Sequence, residues 1–214
     1  MLTPRRIIGR AALVVALAAS LASYELVNHP AGQLHVLRTP LDAALPFVPL
    51  FAIPYLLYLP YLALTLLLFG ATNWRRFAVL ALAFIIASLS ADVIYLLFQT
   101  YVQRPMVVGD GLGPQLVRFV YAHDQPYNDF PSLHTAGATL CAIAYARWRP
   151  AYGLAALPLT LAIIAATVLI RQHYLADVAG GLALAALAWW AASWLTRRFA
   201  PARAGSVSPA RSIR

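Results

Sequence analysis

Residues 124–134 read DQPYNDFPSLH, a polar, turn-rich run that delivers Pro131, Ser132, Leu133 and His134 to the start of an apolar segment opening with Thr135, Ala136 and Gly137. Polar chemistry set at the lip of a membrane helix is costly, and function is the usual reason for it. Thirty-nine residues beyond His134 stands His173, followed at i+4 by Asp177. The rest of the chain reads as scaffold that brings these two segments together.

Composition fixes the class of that scaffold. The chain of 214 residues is 62% hydrophobic and 11% charged, with a mean hydropathy of +0.71. Those values describe an integral membrane protein rather than a soluble domain. The net charge of +9 would suit nucleic acid, but its placement argues against such a partner. A single cysteine, Cys141, leaves no intramolecular disulfide and reads as a packing residue. All 16 basic residues are Arg, and with the abundant Ala this usage points to a GC-rich bacterial genome and its cytoplasmic membrane.

Apolar runs at 11–27, 50–70, 77–100, 133–146, 151–170 and 178–195 predict an all-α, polytopic bundle of six transmembrane helices in one domain, residues 1–200. The 133–146 run is short for a span. The first run, with Arg5 and Arg6 before it and small residues near Ala22 and Ser23, also has the outline of a cleaved signal peptide. A retained helix is the preferred reading. With both termini cytoplasmic, 12 of the 16 Arg fall inside, and only Arg38, Arg104, Arg118 and Arg171 fall outside. This is the positive-inside pattern. All five His and every acid except Asp92 then lie at or near the outer face, so the chemistry faces outward.

Between the first two runs, Pro30, Pro40, Pro46 and Pro49 break the chain too often for one straight helix. Pro54 and Pro60, among Tyr55, Tyr58 and Tyr61, read as kinks and interfacial aromatics rather than ligand contacts. Trp189, Trp190 and Trp194 read as an interface belt. The basic, small-residue tail 201–214 is predicted to be disordered and cytoplasmic. Internal repeats and heptads are absent from the sequence.

Two apolar runs and a short turn separate His134 from His173, so two crossings return the chain to the same face. Arg104 reaches that plane through an outer loop. Ser132 is placed to cap the helix starting at Leu133, leaving the positive end of its dipole as an anion site. His173 and Asp177 share a helix face, and a carboxylate beside an imidazole fixes its tautomer and stabilises its cation. Two imidazoles, a carboxylate and nearby guanidinium groups suit phosphoryl transfer. A zinc site of His134, His173 and Asp177 would be the metal alternative, but no HxxxH or HExxH pair is present and no metal or other cofactor is expected. Asp92 is an intramembrane acid, and Asp124, Tyr127 and Asn128 shape the loop above the pocket. These four are candidates for the substrate pocket.

Arg104-Pro105, Pro131-Ser132-Leu133-His134 and His173-Tyr174-Leu175-Ala176-Asp177 resemble the three signature motifs of the type 2 phosphatidic acid phosphatase superfamily. The wording PYNDFPSLH and RQHYLADVAGG is closest to the inositol phosphorylceramide synthase branch. The resemblance implies that His173 becomes phosphohistidine, that Asp177 orients it, and that His134 is the general acid. It implies phosphate-holding roles for Ser132 and Arg104. The sequence departs from the pattern at Leu97, Leu133 and Thr167, where the family usually carries Lys, Gly and Arg. Arg171 is the candidate to supply one of the missing cations.

The expected activity is therefore that of a membrane enzyme acting on a lipid phosphate, by hydrolysis or by transfer to a soluble alcohol acceptor such as inositol. A non-catalytic lipid-binding or lipid-translocating protein is the reading from another class, kept open by the absent cations. The sequence carries no signal for oligomeric state.

Overall fold

The computed structural model describes residues 4–199, so the tail 201–214 and its arginines lie outside the described residues. Regular structure among them is helical. Among the described residues the only extended pairings are two isolated bridges, His35 to Thr100 and Tyr101 to Tyr127. The helices run α1 Pro4–Val27, α2 Pro40–Ala44, α3 Ala52–Leu56, α4 Tyr58–Thr72, α5 Trp74–Leu97, α6 Leu112–His123, α7 Leu133–Trp148, α8 Pro150–Leu169 and α9 Leu175–Arg198.

Five stretches are long and apolar enough to cross a membrane: Ile7–Val27, Pro49–Thr72, Trp74–Leu97, Pro150–Leu169 and Leu175–Arg198. The sixth expected span is α7, which has only 16 residues. At about 1.5 Å per residue it extends roughly 24 Å. Its residues suit an enclosed position. Ala136, Gly137, Ala138, Leu140, Cys141 and Ala144 are buried, and α7 packs among α4, α5, α8 and α9. A helix enclosed by others has no need of a lipid-facing hydrophobic coat and can be made of small residues that let its neighbours close in.

The proline expectations resolve into specific breaks. Pro60 has no N–H to offer the carbonyl of Leu56, and the helix is interrupted at Leu57 between α3 and α4. Pro150 opens α8 immediately after Arg149, so α7 and α8 form a tight hairpin.

Polarity divides the bundle lengthwise. Arg10 lies over Trp74 at 4.6 Å and Arg76 over Trp148 at 5.8 Å, which brings the start of α1, the start of α5 and the end of α7 to one end. At the other end, α7 and α9 begin side by side. The Ser132 amide donates to the Asp177 carbonyl at 3.0 Å. A Cβ at Gly181 would stand 2.5 Å from the Ser132 carbonyl oxygen and 2.9 Å from Thr135 Cβ, so the two helices touch through hydrogen alone. Gly137 gives the same clearance to the Tyr58 ring.

Gly181→Val should push α9 off α7. The expected cost is roughly 1–3 kcal/mol, read as a lower thermal midpoint of the detergent-solubilised protein. An unchanged midpoint would show that the contact tolerates a side chain.

Candidate active site

The α7 motif is built as its sequence suggests. Ser132 is fully buried, and its hydroxyl oxygen accepts from the Thr135 amide at 3.2 Å, capping α7. The loop before it hangs on α5 and the strand-like segment that follows. Thr100 Oγ1 accepts from the amides of Asp129 and Phe130 at 2.9 and 2.8 Å, and the Tyr95 hydroxyl donates to the Pro131 carbonyl at 2.7 Å. His134, in the first turn, is sandwiched by two tyrosine rings, Tyr55 at 4.3 Å and Tyr58 at 4.5 Å.

His173 sits on the loop between α8 and α9. Both its amide and that of Gln172 donate to the Thr167 carbonyl at 2.9 Å, which folds the loop back on the end of α8. Asp177 is completely buried. Its Oδ2 accepts from the Tyr174 amide at 2.7 Å and faces His173 Nδ1 at 3.6 Å. That arrangement turns the other ring nitrogen, Nε2, away from the carboxylate. The two imidazole centroids are 6.2 Å apart with ring planes at 58°.

Both histidines line a cavity of about 480 Å³. Its polar end is made by His134, His173, Gln172, Asp124 and Asp129, and its mouth by Glu25, His123 and Gln125. From there it runs between α1, α4 and α5, past Leu21, Leu62, Ala87 and Phe84. Tyr95 and Phe84, both lining it, are eleven residues apart on α5. At about 1.5 Å per residue the apolar shaft is therefore about 16 Å deep.

The other predicted site residues divide. Asp124 lines the cavity, its carboxylate accepting from the Tyr55 hydroxyl at 2.5 Å, the Tyr24 hydroxyl at 3.2 Å and Gln172 Nε2 at 3.4 Å. Asn128 also lines it, with φ +62°, but its amide is spent on the scaffold. It accepts from Gln99 Nε2 at 2.9 Å and donates to the Val27 carbonyl at 2.5 Å. Tyr127 does not line the cavity. It pairs with Tyr101 across the bridge, ring centroids 5.6 Å apart. Asp92 likewise stays out of the lining and instead accepts from the Ser23 hydroxyl of α1 at 2.5 Å.

Neither of the two arginines is among the residues that line the cavity. Arg104 Nη1 and Nη2 donate to the carbonyls of Tyr121 and Asp124 at 3.2 and 2.5 Å, and its guanidinium stacks 4.4 Å over the Tyr121 ring. Arg171, at φ +56°, donates to the carbonyls of Asp42 and Leu45 at 2.5 Å each. The reason is local. α2 ends in carbonyls without helical partners, and the left-handed turn at Arg171 aims its side chain at them.

Several working residues escape the motif reading. Tyr55 and Tyr58 are cavity walls and histidine cushions rather than interface aromatics; their i, i+3 spacing facing one side was the available signal. Asp42 closes a capping box with Thr39 and accepts from the Leu175 amide at 2.7 Å, fastening α2 to the start of α9. The pattern Thr39-Pro40-x-Asp42 marks that box in sequence. Asp129 is 4% exposed, lines the cavity, and its Oδ2 has no hydrogen-bond partner among the described residues. Burial, and next the charge of Asp177, push its carboxyl well above the usual carboxylate range against the pull of Arg104. Among the described residues no group of three or more His, Cys, Asp or Glu is arranged to hold a metal ion.

Arg171→Ala should act through the loop it ties down. Two charge-assisted hydrogen bonds to backbone are lost, at roughly 1.5–3 kcal/mol each by typical magnitudes, and the thermal midpoint should fall. A variant as stable as the parent would mean that the latch contributes nothing to folding.

Comparison with known proteins places this architecture. No curated protein and no solved structure matches the chain. The PAP2 superfamily profile matches residues 33–191, which contain Arg104, both histidines and Asp177. The match covers most of the sequence, and the chain belongs to the PAP2 superfamily.

Proposed function

We propose that this chain is a membrane enzyme that cleaves a lipid phosphate through a phosphohistidine on His173. One observation carries the reading: two imidazoles face each other at 6.2 Å at the polar end of a deep apolar cavity, one of them beside a buried carboxylate. Attack on phosphorus begins from about 3–3.5 Å, and proton transfer to the leaving oxygen needs about 2.6–3.2 Å. A phosphoryl group bridging the two rings spans a gap of that order.

In the first step His173 Nε2 bonds to phosphorus, the bond from phosphorus to the lipid oxygen breaks, and His134 gives that oxygen its proton. Asp177, beside Nδ1, stabilises the positive charge that His173 acquires. The lipid alcohol leaves. In the second step water attacks the phosphohistidine, His134 takes the water's proton, and inorganic phosphate departs with His173 restored. The amides of the first turn of α7, held in place by the Ser132 cap, and the α7 dipole stabilise the equatorial oxygens. The shaft between α1, α4 and α5 takes the hydrocarbon chain.

Six crossings complete the proposal, with α7 as the enclosed one. The arginine-rich end faces the cytoplasm and the cavity opens at the outer face. A second reading, transfer to an alcohol such as inositol within the inositol phosphorylceramide synthase branch, draws on the mouth of the cavity. Glu25, His123 and Gln125 there offer acceptors and donors suited to hydroxyl groups. In that case the alcohol replaces water in the second step.

Purified protein should be given radiolabelled lipid phosphates with and without inositol. Release of free phosphate supports hydrolysis, and labelled inositol phosphate formed only when inositol is present supports transfer. His134→Ala and His173→Ala should each lower turnover by about 10²-fold or more with the thermal midpoint retained. Full activity in either variant, or no product from the parent chain with any lipid phosphate, would overturn the assignment.

A further inference from the structure

The cavity poses an electrostatic problem for the proposed substrate. A phosphate carries negative charge, yet Asp124, Asp129 and Glu25 are among the residues that line the cavity and no guanidinium is. The end nitrogens of Arg104 and Arg171 are bonded to backbone carbonyls. Gln172 Nε2 is shared between the Tyr55 hydroxyl and Asp124. The carboxylate of Asp124 accepts from Tyr24, Tyr55 and Gln172.

Asp129 differs from these. Its backbone is fixed by the Thr100 hydroxyl, so the side chain has little freedom to leave the cavity. It is buried, and its Oδ2 has no partner among the described residues. A buried polar oxygen without a partner carries its full desolvation cost, which a bound ligand would relieve. We propose that Asp129 is a phosphate-binding residue which, as a carboxylic acid, donates a hydrogen bond from its carboxyl group to a nonbridging oxygen of the substrate phosphate.

The surroundings favour the acid over the carboxylate. Burial is the largest influence, Asp177 and Asp124 bring like charge to Asp129, and Arg104 and the Val102 backbone oppose them without reversing the direction. A neutral carboxyl in a dry site is a hydrogen-bond donor that an anion accepts without repulsion. This supplies one of the contacts for which the sequence has Leu97 and Thr167 in place of cations. The inference rests on the phosphoryl-transfer reading and adds to it a residue outside the three motifs.

The test uses the full chain in detergent and orthovanadate, a phosphate analogue whose binding needs no turnover, read as a concentration-dependent thermal shift. Asp129→Asn keeps a donor of the same size, whereas Asp129→Leu keeps the volume and removes the donor. Vanadate affinity should fall at least tenfold in the Leu variant and stay within threefold of the parent in the Asn variant. The KM for a lipid phosphate should move in the same order. If Asp129→Leu does not fold, Asp129→Ala replaces it as the variant without a donor. Parent-like vanadate binding in the variant without a donor, or an Asn variant as weak as that one, would overturn the role of Asp129 while leaving phosphoryl transfer intact. A parent chain that binds no vanadate would instead overturn the phosphate reading and this inference with it.

Discussion

A backbone hydrogen bond, from the Ser132 amide to the Asp177 carbonyl at 3.0 Å, joins the two segments that carry His134 and His173. It links the residue that caps α7 to the carboxylate residue in the first turn of α9. Because the bond runs between main chains, it fixes the height of one helix start against the other regardless of side-chain rotamer. Gly181 then lets the helices approach until the Ser132 carbonyl fills the place of a missing Cβ. His134 and His173 inherit their separation from this joint. The rest of the bundle serves it: α5 packs against α7 and α9 together, and α8 returns the chain from one to the other.

The same joint explains how much was legible in the sequence. Helix starts are written locally, in Ser132 before an apolar run and in Asp177 three residues after Tyr174, so the cap and the shared face of His173 and Asp177 could be read directly. The convergence of the histidines followed from counting crossings. What was not legible depends on direction. A positive φ at Arg171 sends its guanidinium toward α2 instead of the cavity, and no sequence rule gives the sign of that torsion for an arginine. Tyr55 and Tyr58 have the composition of interface residues, and only the position of α3 and α4 against α7 turns them into a sandwich for His134. α7 falls short of a span by its length, 16 residues, and it is enclosed by other helices.

Charge placement separates this cavity from a site built around fixed cations. Guanidinium groups that bond to carbonyls of the α2 end and the α6 end act as fasteners for loops. They tie down the segments that carry Asp124 and His173. On the proposed reading, phosphate binding would fall to neutral donors and to the α7 helix end. Such donors cost less to desolvate than a charge and attract an anion at shorter range. A cavity of that kind depends on enclosure, since water would compete with every one of its neutral contacts. The tyrosine walls and the deep apolar shaft supply the enclosure.

Helix α1 is part of that enclosure, although the superfamily match begins only at residue 33. Leu21 and Tyr24 line the cavity, the Tyr24 hydroxyl holds Asp124, and Ser23 supplies the partner of Asp92. Leu17 is buried in the main core. A chain cut near Ala22 or Ser23, as a signal peptide would be, would lose Leu17 and Leu21 from the bundle, open one wall of the shaft and break the helix that carries Tyr24. A cut beyond Ser23 would also remove the side-chain partner of Asp92. An intramembrane acid left without a partner is among the costlier things a bundle can contain. Asp92 pins the first helix to α5, and through that contact the cavity keeps the wall that Leu21 and Tyr24 supply.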